Sequence, residues 1–111
     1  MQKKAITTGT GATQDLDAAT LGYAPGDYAY HYIQVFGSGS ETFSIKAKAE
    51  GSSVFAACAS LASQTLPLGS MVAVTPDHAG GFESLQVAFS GSVTGYTVLV
   101  ASMNRAGLGE R

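Results

Sequence analysis

The sequence predicts an all-β protein, a two-layer antiparallel β-sandwich or jelly-roll-like barrel with flexible N- and C-terminal arms. Three observations support this. Fourteen glycines cut the 111 residues into short runs, the punctuation expected of turns between strands. About seven of those runs alternate apolar and polar side chains at intervals of roughly 8 to 12 residues, the spacing of sandwiches and barrels. No long helical pattern separates the strands, which argues against a parallel α/β sheet.

A chain of this length fits one domain. Its expected parts are an N-terminal arm and connector over residues 1–24, a core over 25–103 and a tail over 104–111. "KKAITT" reads as a short first strand. "GTGATQDLDAATLGYAPGD" then reads as a long connection in which Pro25 and Gly26 suit a tight turn. "YAYHYIQVF" alternates so that Tyr28, Tyr30, Tyr32, Gln34 and Phe36 share one face, with Ala29, His31, Ile33 and Val35 on the other. Both sets are mostly apolar, so the strand is expected to be central and covered on both sides. "TFSIKAK" has the cleanest pattern, with Phe43, Ile45 and Ala47 inward and Thr42, Ser44, Lys46 and Lys48 outward. A one-residue slip there would bury two ammonium groups, so the two strands are expected to pair as a hairpin in a fixed register.

"SSVFAACASLASQTLPLGS" supports either of two structures. Its alanines suit a helix capped by Ser52 or Ser53, whereas Val54, Phe55 and Thr65 suit two short strands around Ala59 to Ala62, and the extended alternative is preferred. "MVAVT" is a strand stopped by Pro76. "ESLQVAFS" points Leu85, Val87 and Phe89 inward, "GSVTG" turns the chain, and "YTVLVASM" sets Tyr96, Val98 and Val100 against Thr97, Leu99 and Ala101. "NRAGLGER" has no period.

Composition excludes some functions. Charged residues are only 13%, and 6 Lys and Arg against 8 Asp and Glu leave a net charge of -2, with no basic footprint for phosphate contacts. No nucleic-acid partner is expected. The start "MQKKAITTGTGATQD" lacks the apolar run of a secretory signal, and no stretch has the length of a membrane span, so neither export nor membrane insertion is expected. A weakly charged exterior of small polar residues favours association. The one cysteine, Cys58, forms no internal disulfide and sits among alanines, where a thiol behaves as a small hydrophobe.

Catalytic motifs are weak. His31 beside three tyrosines suggests a base or a metal ligand, but a metal needs three or four ligands, and the other histidine, His78, is remote in sequence. Asp77 and His78 in "PDHAGG" join an acid to an imidazole without a nucleophile elbow, and the segment reads as a turn. "TGTGAT" lacks the lysine and the helix of a phosphate-binding loop. The expectation is a protein without enzymatic activity, cofactor or metal. The tyrosine row keeps a functional meaning: Tyr28, Tyr30 and Tyr32, with His31, are the candidate residues for a protein interface or for stacking on sugar rings, because each tyrosine is a rigid apolar plate with a polar tip. The alternative is that the rings pack between two sheets.

"FESLQVAFSGSVTGYTVLVASM", Phe82 to Met103, resembles the closing strands of small bacteriophage structural proteins, and "FGSGSETFSIKAKAEGSSVFAA" resembles their hairpin and following turn. The resemblance implies a virion component assembled in the host cytoplasm. Its most specific form is a head decoration (cement) protein, often trimeric, that clasps neighbouring major capsid subunits. A tail or fibre component is the variant, and a carbohydrate-binding sandwich built on the tyrosines is the alternative from another class. The family has no catalytic residues to carry over.

Overall fold

The computed structural model describes residues 2–49, 51–57, 65–75 and 82–104. The all-β class is as expected. Among these residues the strands are β1 (Lys3–Leu16), β2 (Tyr30–Gly37), β3 (Thr42–Ala49), β4 (Ala56–Ala57), β5 (Leu66–Pro67), β6 (Met71–Val74) and β7 (Phe82–Met103). All belong to one antiparallel sheet that curls around its own core.

β7 is the spine. Its 22 residues would span about 70 Å if straight, at roughly 3.3 Å per residue, yet the longest dimension of the molecule is 36 Å. The strand must therefore bend. It does so between Phe89 and Tyr96, where two residues of β1, from Gly9 to Gly11, face three of β7, and the next two, from Gly11 to Thr13, face five. Extra residues on one strand of a pair sharpen the local twist. The inward side of β7 passes from Leu85, Val87 and Phe89 to Tyr96, Val98 and Val100 across this bend. "GSVTG" is thus the bend of a continuous strand and does not reverse the chain as expected. Small and glycyl residues mark a permissive backbone, which serves a bulge as well as a turn.

The expected β2–β3 hairpin is also absent. β2 pairs with the second half of β7, from Tyr30 opposite Met103 to Gly37 opposite Tyr96, and β3 pairs with the first half, from Phe43 opposite Phe89 to Ala49 opposite Phe82. The two strands run in file along one side of β7, and residues 38–41 step past its bend. The Ser90 hydroxyl fastens this step, accepting from Thr42 N at 3.0 Å and donating to Glu41 Oε1 at 2.7 Å. The face assignment within β3 is as expected, with Phe43 and Ile45 buried and Lys46 and Lys48 on the other side. In the ambiguous alanine-rich segment, the short strands β4 and β5 both pair with β3. Ala59 to Ala62 and Cys58 lie outside the described residues.

The short first strand expected at "KKAITT" continues through the first part of the expected connector to form β1, paired with β7 from Lys3 opposite Ser102 to Leu16 opposite Leu85 and, among the described residues, an edge of the sheet. Its inward positions Ala5, Thr7 and Gly9 are small, so it lacks the alternation that identifies a strand. Space explains this at Gly9, where a Cβ would come within 2.7 Å of the Tyr96 Oη. Tyr96 instead spans the bend, with its ring 4.8 Å from that of Phe89 and its hydroxyl donating to Gln14 Oε1 at 2.8 Å. Asp17 then caps α1 (Ala18–Leu21), accepting from Thr20 N at 2.9 Å, and Gly22 ends it at φ 82°. A single 3-10 turn, Pro25–Asp27, leads into β2.

Candidate interaction face and the buried histidine

β2 carries the candidate residues on two faces with opposite fates. Ile33, Val35 and His31 point into the core, and Tyr30, Tyr32, Gln34 and Phe36 point outward. The strand is central, between β7 and β6, but among the described residues it is covered on one side only. The tyrosines therefore do not pack between layers. Tyr30 and Tyr32 are half-buried on the outer face, while Tyr28 precedes the strand and holds Tyr23 edge to face, with ring centroids 5.5 Å apart. The expected row of three is a pair.

His31 is corrected as an interface candidate, because its exposure is 0%. Its Nε2 lies 3.1 Å from the Tyr28 carbonyl oxygen and its Nδ1 lies 2.7 Å from Ser102 Oγ. A carbonyl only accepts, so Nε2 carries the proton and Nδ1 is the acceptor. Ser102 must then donate its one proton to Nδ1, which leaves Tyr23 to donate to Ser102 Oγ at 2.7 Å. Burial pushes the imidazole down from 6.5 to about 4, so the neutral ring this network requires is the one present at neutral pH. Burial likewise raises the Tyr23 hydroxyl, keeping it a donor. A serine beside a histidine has the form of a nucleophile and its base, but Ser102 is also wholly buried. As placed, the pair braces the connection through Tyr23 and Tyr28 against β7 and has no surface to offer a substrate.

The sheet register assembles the outer face. Ile6 of β1, Leu99 of β7, Gln34 of β2 and Met71 of β6 lie side by side in one cross-strand row, and Lys4, Ala101, Tyr32 and Ala73 form the next. Beyond them Thr8, Thr97 and Phe36 make a third. Ile6 is 65% exposed, Met71 60%, Phe36 40% and Leu99 37%. An open groove of about 290 Å³ runs here, lined by Lys4, Tyr32, Gln34, Met71, Leu99 and Ala101. One N–H of the Gln34 amide donates to the Gly69 carbonyl at 3.1 Å. The face therefore offers apolar area with few unspent polar groups.

Sequence reasoning placed Leu99 beside Thr97 and Ala101 but missed Ile6 and Met71 as its neighbours, and it missed Ser102 and Tyr23 as partners of His31. Alternation within each strand carries the first signal. Strand order, which a single run of residues does not encode, carries the rest. Asp77, His78 and Cys58 lie outside the described residues. Among the described residues no three His, Cys, Asp or Glu side chains come together as metal ligands would.

No protein-family model matches the sequence, and no curated protein matches it. Its fold does have solved counterparts. The SPBc2 prophage-derived protein YomS is similar over 92% of this chain and 94% of its own, with a TM-score of 0.58 and 12% sequence identity. A protein of the disulfide-linked pili of Bacillus endospore appendages is similar over 95% of this chain and 88% of its own, with a TM-score of 0.45 and 14% identity. At 12% identity the likeness to the prophage-derived protein establishes a shared fold.

Proposed function

We propose that this chain is a non-enzymatic structural protein of a bacteriophage particle and acts by surface contact. In its most specific form it is a head decoration protein that binds major capsid subunits as an oligomer. The observation that carries this reading is the outer face of the curled sheet, where Ile6, Leu99, Met71 and Phe36 stand exposed around Tyr32. Contiguous apolar surface of this kind marks an interaction site. The prophage origin of a protein with the same fold supports the setting. The low charge of the chain suits a component that meets its neighbours by packing, and an oligomer on a symmetric shell gains avidity from several weak contacts at once. In this reading the protein is made in the host cytoplasm and ends in the virion, with no nucleic-acid or membrane partner.

A sugar-binding reading places a ring on Tyr30 or Tyr32, both of which face outward. It is the weaker one, because a sugar presents many hydroxyls and the groove's polar side chains are only Lys4, Tyr32 and Gln34, the last with one N–H spent on Gly69. Mass spectrometry of purified particles produced by the genome that encodes the chain tests the proposal. The chain is expected in many copies per particle and in tailless heads as well. Absence from particles overturns the reading, presence only in tails moves the role away from the head, and a positive glycan array with no particle association favours the sugar.

A further inference from the structure

We propose that β1 is a self-association edge, and that two copies of this chain pair their β1 strands antiparallel across a two-fold axis to make one continuous sheet. Among the described residues β1 pairs with β7 alone. Along its 14 residues every second backbone position therefore turns its N–H and C=O away from the sheet. Proteins guard such edges with proline, with short strands or with charges spread along them. β1 has none of these: no proline interrupts Lys3–Leu16, the strand is long, and its ionisable side chains stand only at its ends, Lys3 and Lys4 at one and Asp15 at the other. A bulge can also guard an edge, but the irregularities between Gly9 and Thr13 carry their extra residues on β7, and β1 stays one continuous strand.

That distribution selects the partner and its direction. Two copies running parallel would set lysine beside lysine and aspartate beside aspartate. Two copies running antiparallel bring each cationic end against the other's anionic end, and a two-fold axis makes the contact twice. The faces select the register. Lys4, Ile6 and Thr8 are exposed on the outer side of the first half of β1, and Thr13 and Asp15 are exposed in the second half, with Gln86 Nε2 donating to Asp15 Oδ1 at 2.8 Å on the outer side of β7. Matching outer side chains to outer side chains sets Thr8 opposite the partner's Thr10 about an axis that passes between the two Gly9 residues, and, with one residue taken up as a bulge where Ala12 and Thr13 are both exposed, sets Ile6 opposite the partner's Thr13 and Lys4 opposite the partner's Asp15. Ile6, now 65% exposed beside Leu99, is then covered from its open side.

The inference takes self-association from the proposed function and assigns it a surface, and the two fail separately. Sedimentation velocity on the full chain is expected to show a dimer. Lys4→Glu or Asp15→Lys alone turns two attractions into repulsions and is expected to weaken the dimer about tenfold, while the double variant K4E/D15K is expected to restore it. Both sites are solvent-exposed, and unchanged thermal unfolding of the variants verifies the fold. As a second measurement, amide hydrogen exchange within β1 is expected to slow as concentration rises through the dimer transition. A monomer at high micromolar concentration overturns the inference, as does a dimer indifferent to the charge exchange. A trimer, the state implied by the phage-protein resemblance, also overturns it and leaves the particle role standing.

Discussion

His31 and Tyr32 are neighbours in the chain and opposites in environment. His31 is sealed in the core with both ring nitrogens hydrogen-bonded, and Tyr32 lines an open groove between Lys4 and Met71. The same contrast separates the two faces of the whole sheet. Inward, the side chains of five strands converge on one cluster in which Ile33, Val35, Leu85, Val87 and Val98 have no exposure. Outward, comparably apolar residues such as Ile6 and Met71 stand exposed. Hydrophobicity therefore does not separate fold from function in this protein. The curl does, because one face of a sheet that bends on itself becomes an interior and the other a surface.

The largest expected break in this symmetry is at Phe43, which is wholly enclosed on β3. Phe43→Ala removes a full aromatic ring from a site that collapses only partly, so urea denaturation should show a loss of about 3–5 kcal/mol. A loss near 1 kcal/mol would mean that the interior is far looser than its packing indicates.

The next effect is on pH dependence and belongs to His31. Its folded value is lowered to about 4 from 6.5, so between these two values the unfolded chain binds a proton that the folded chain does not. Stability is full above about 6.5 and falls as pH drops toward 4, by roughly 3 kcal/mol in all. Asp17, the α1 cap, is lowered from 3.8 by the Thr20 amide, and its contribution is lost only at still lower pH. Chemical denaturation at several pH values should show the slope in the wild type and a much flatter line in His31→Gln over the same window. An equal slope in both would assign the acid sensitivity to other groups.

The degree to which these faces are legible in the sequence differs between strands for physical reasons. β3 is readable from its own residues because Lys46 and Lys48 forbid the wrong face. The second half of β7 is readable because Tyr96, Val98 and Val100 alternate with Thr97, Leu99 and Ala101. β1 is legible only at its start, where "KKAITT" reads as a strand; its continuation is opaque, since Gly9 breaks the pattern and the reason it must be small, the Tyr96 ring, is 87 residues further on. The β2–β3 pairing was misjudged because proximity in sequence favours a hairpin, whereas the long edge of β7 offered both strands a partner. His31 was visible as unusual, but its burial depends on Ser102, which the register places opposite it.

Ser102→Ala sharpens the account of that pairing. It leaves the Nδ1 of the wholly buried His31 without its donor and the Oη of the half-buried Tyr23 without its acceptor. An unsatisfied buried group costs about 1–3 kcal/mol, so denaturation should register a loss of that size at neutral pH. The informative measurement is the double variant with Tyr23→Phe. If the network is one unit, the two losses will be less than additive. Strict additivity would mean that Tyr23 and Ser102 act separately.

The smallest expected effect on stability is at Leu99, where the outer face is tested directly. Leu99→Ser removes apolar surface that is already partly in water, on a strand whose hydrogen bonds to β1 and β2 do not involve the side chain. Thermal unfolding should shift little, corresponding to within about 0.5 kcal/mol. Met71→Ser, in the same cross-strand row on β6, should behave alike. Binding should respond differently, because apolar residues at the centre of a contact face supply much of its affinity. Co-sedimentation of the two variants with particles assembled without the chain should therefore fall well below that of the wild type, even though the fold is intact. If both variants are stable and still bind as the wild type does, the exposed row is only uncovered sheet, and the contact surface must be sought along the edges.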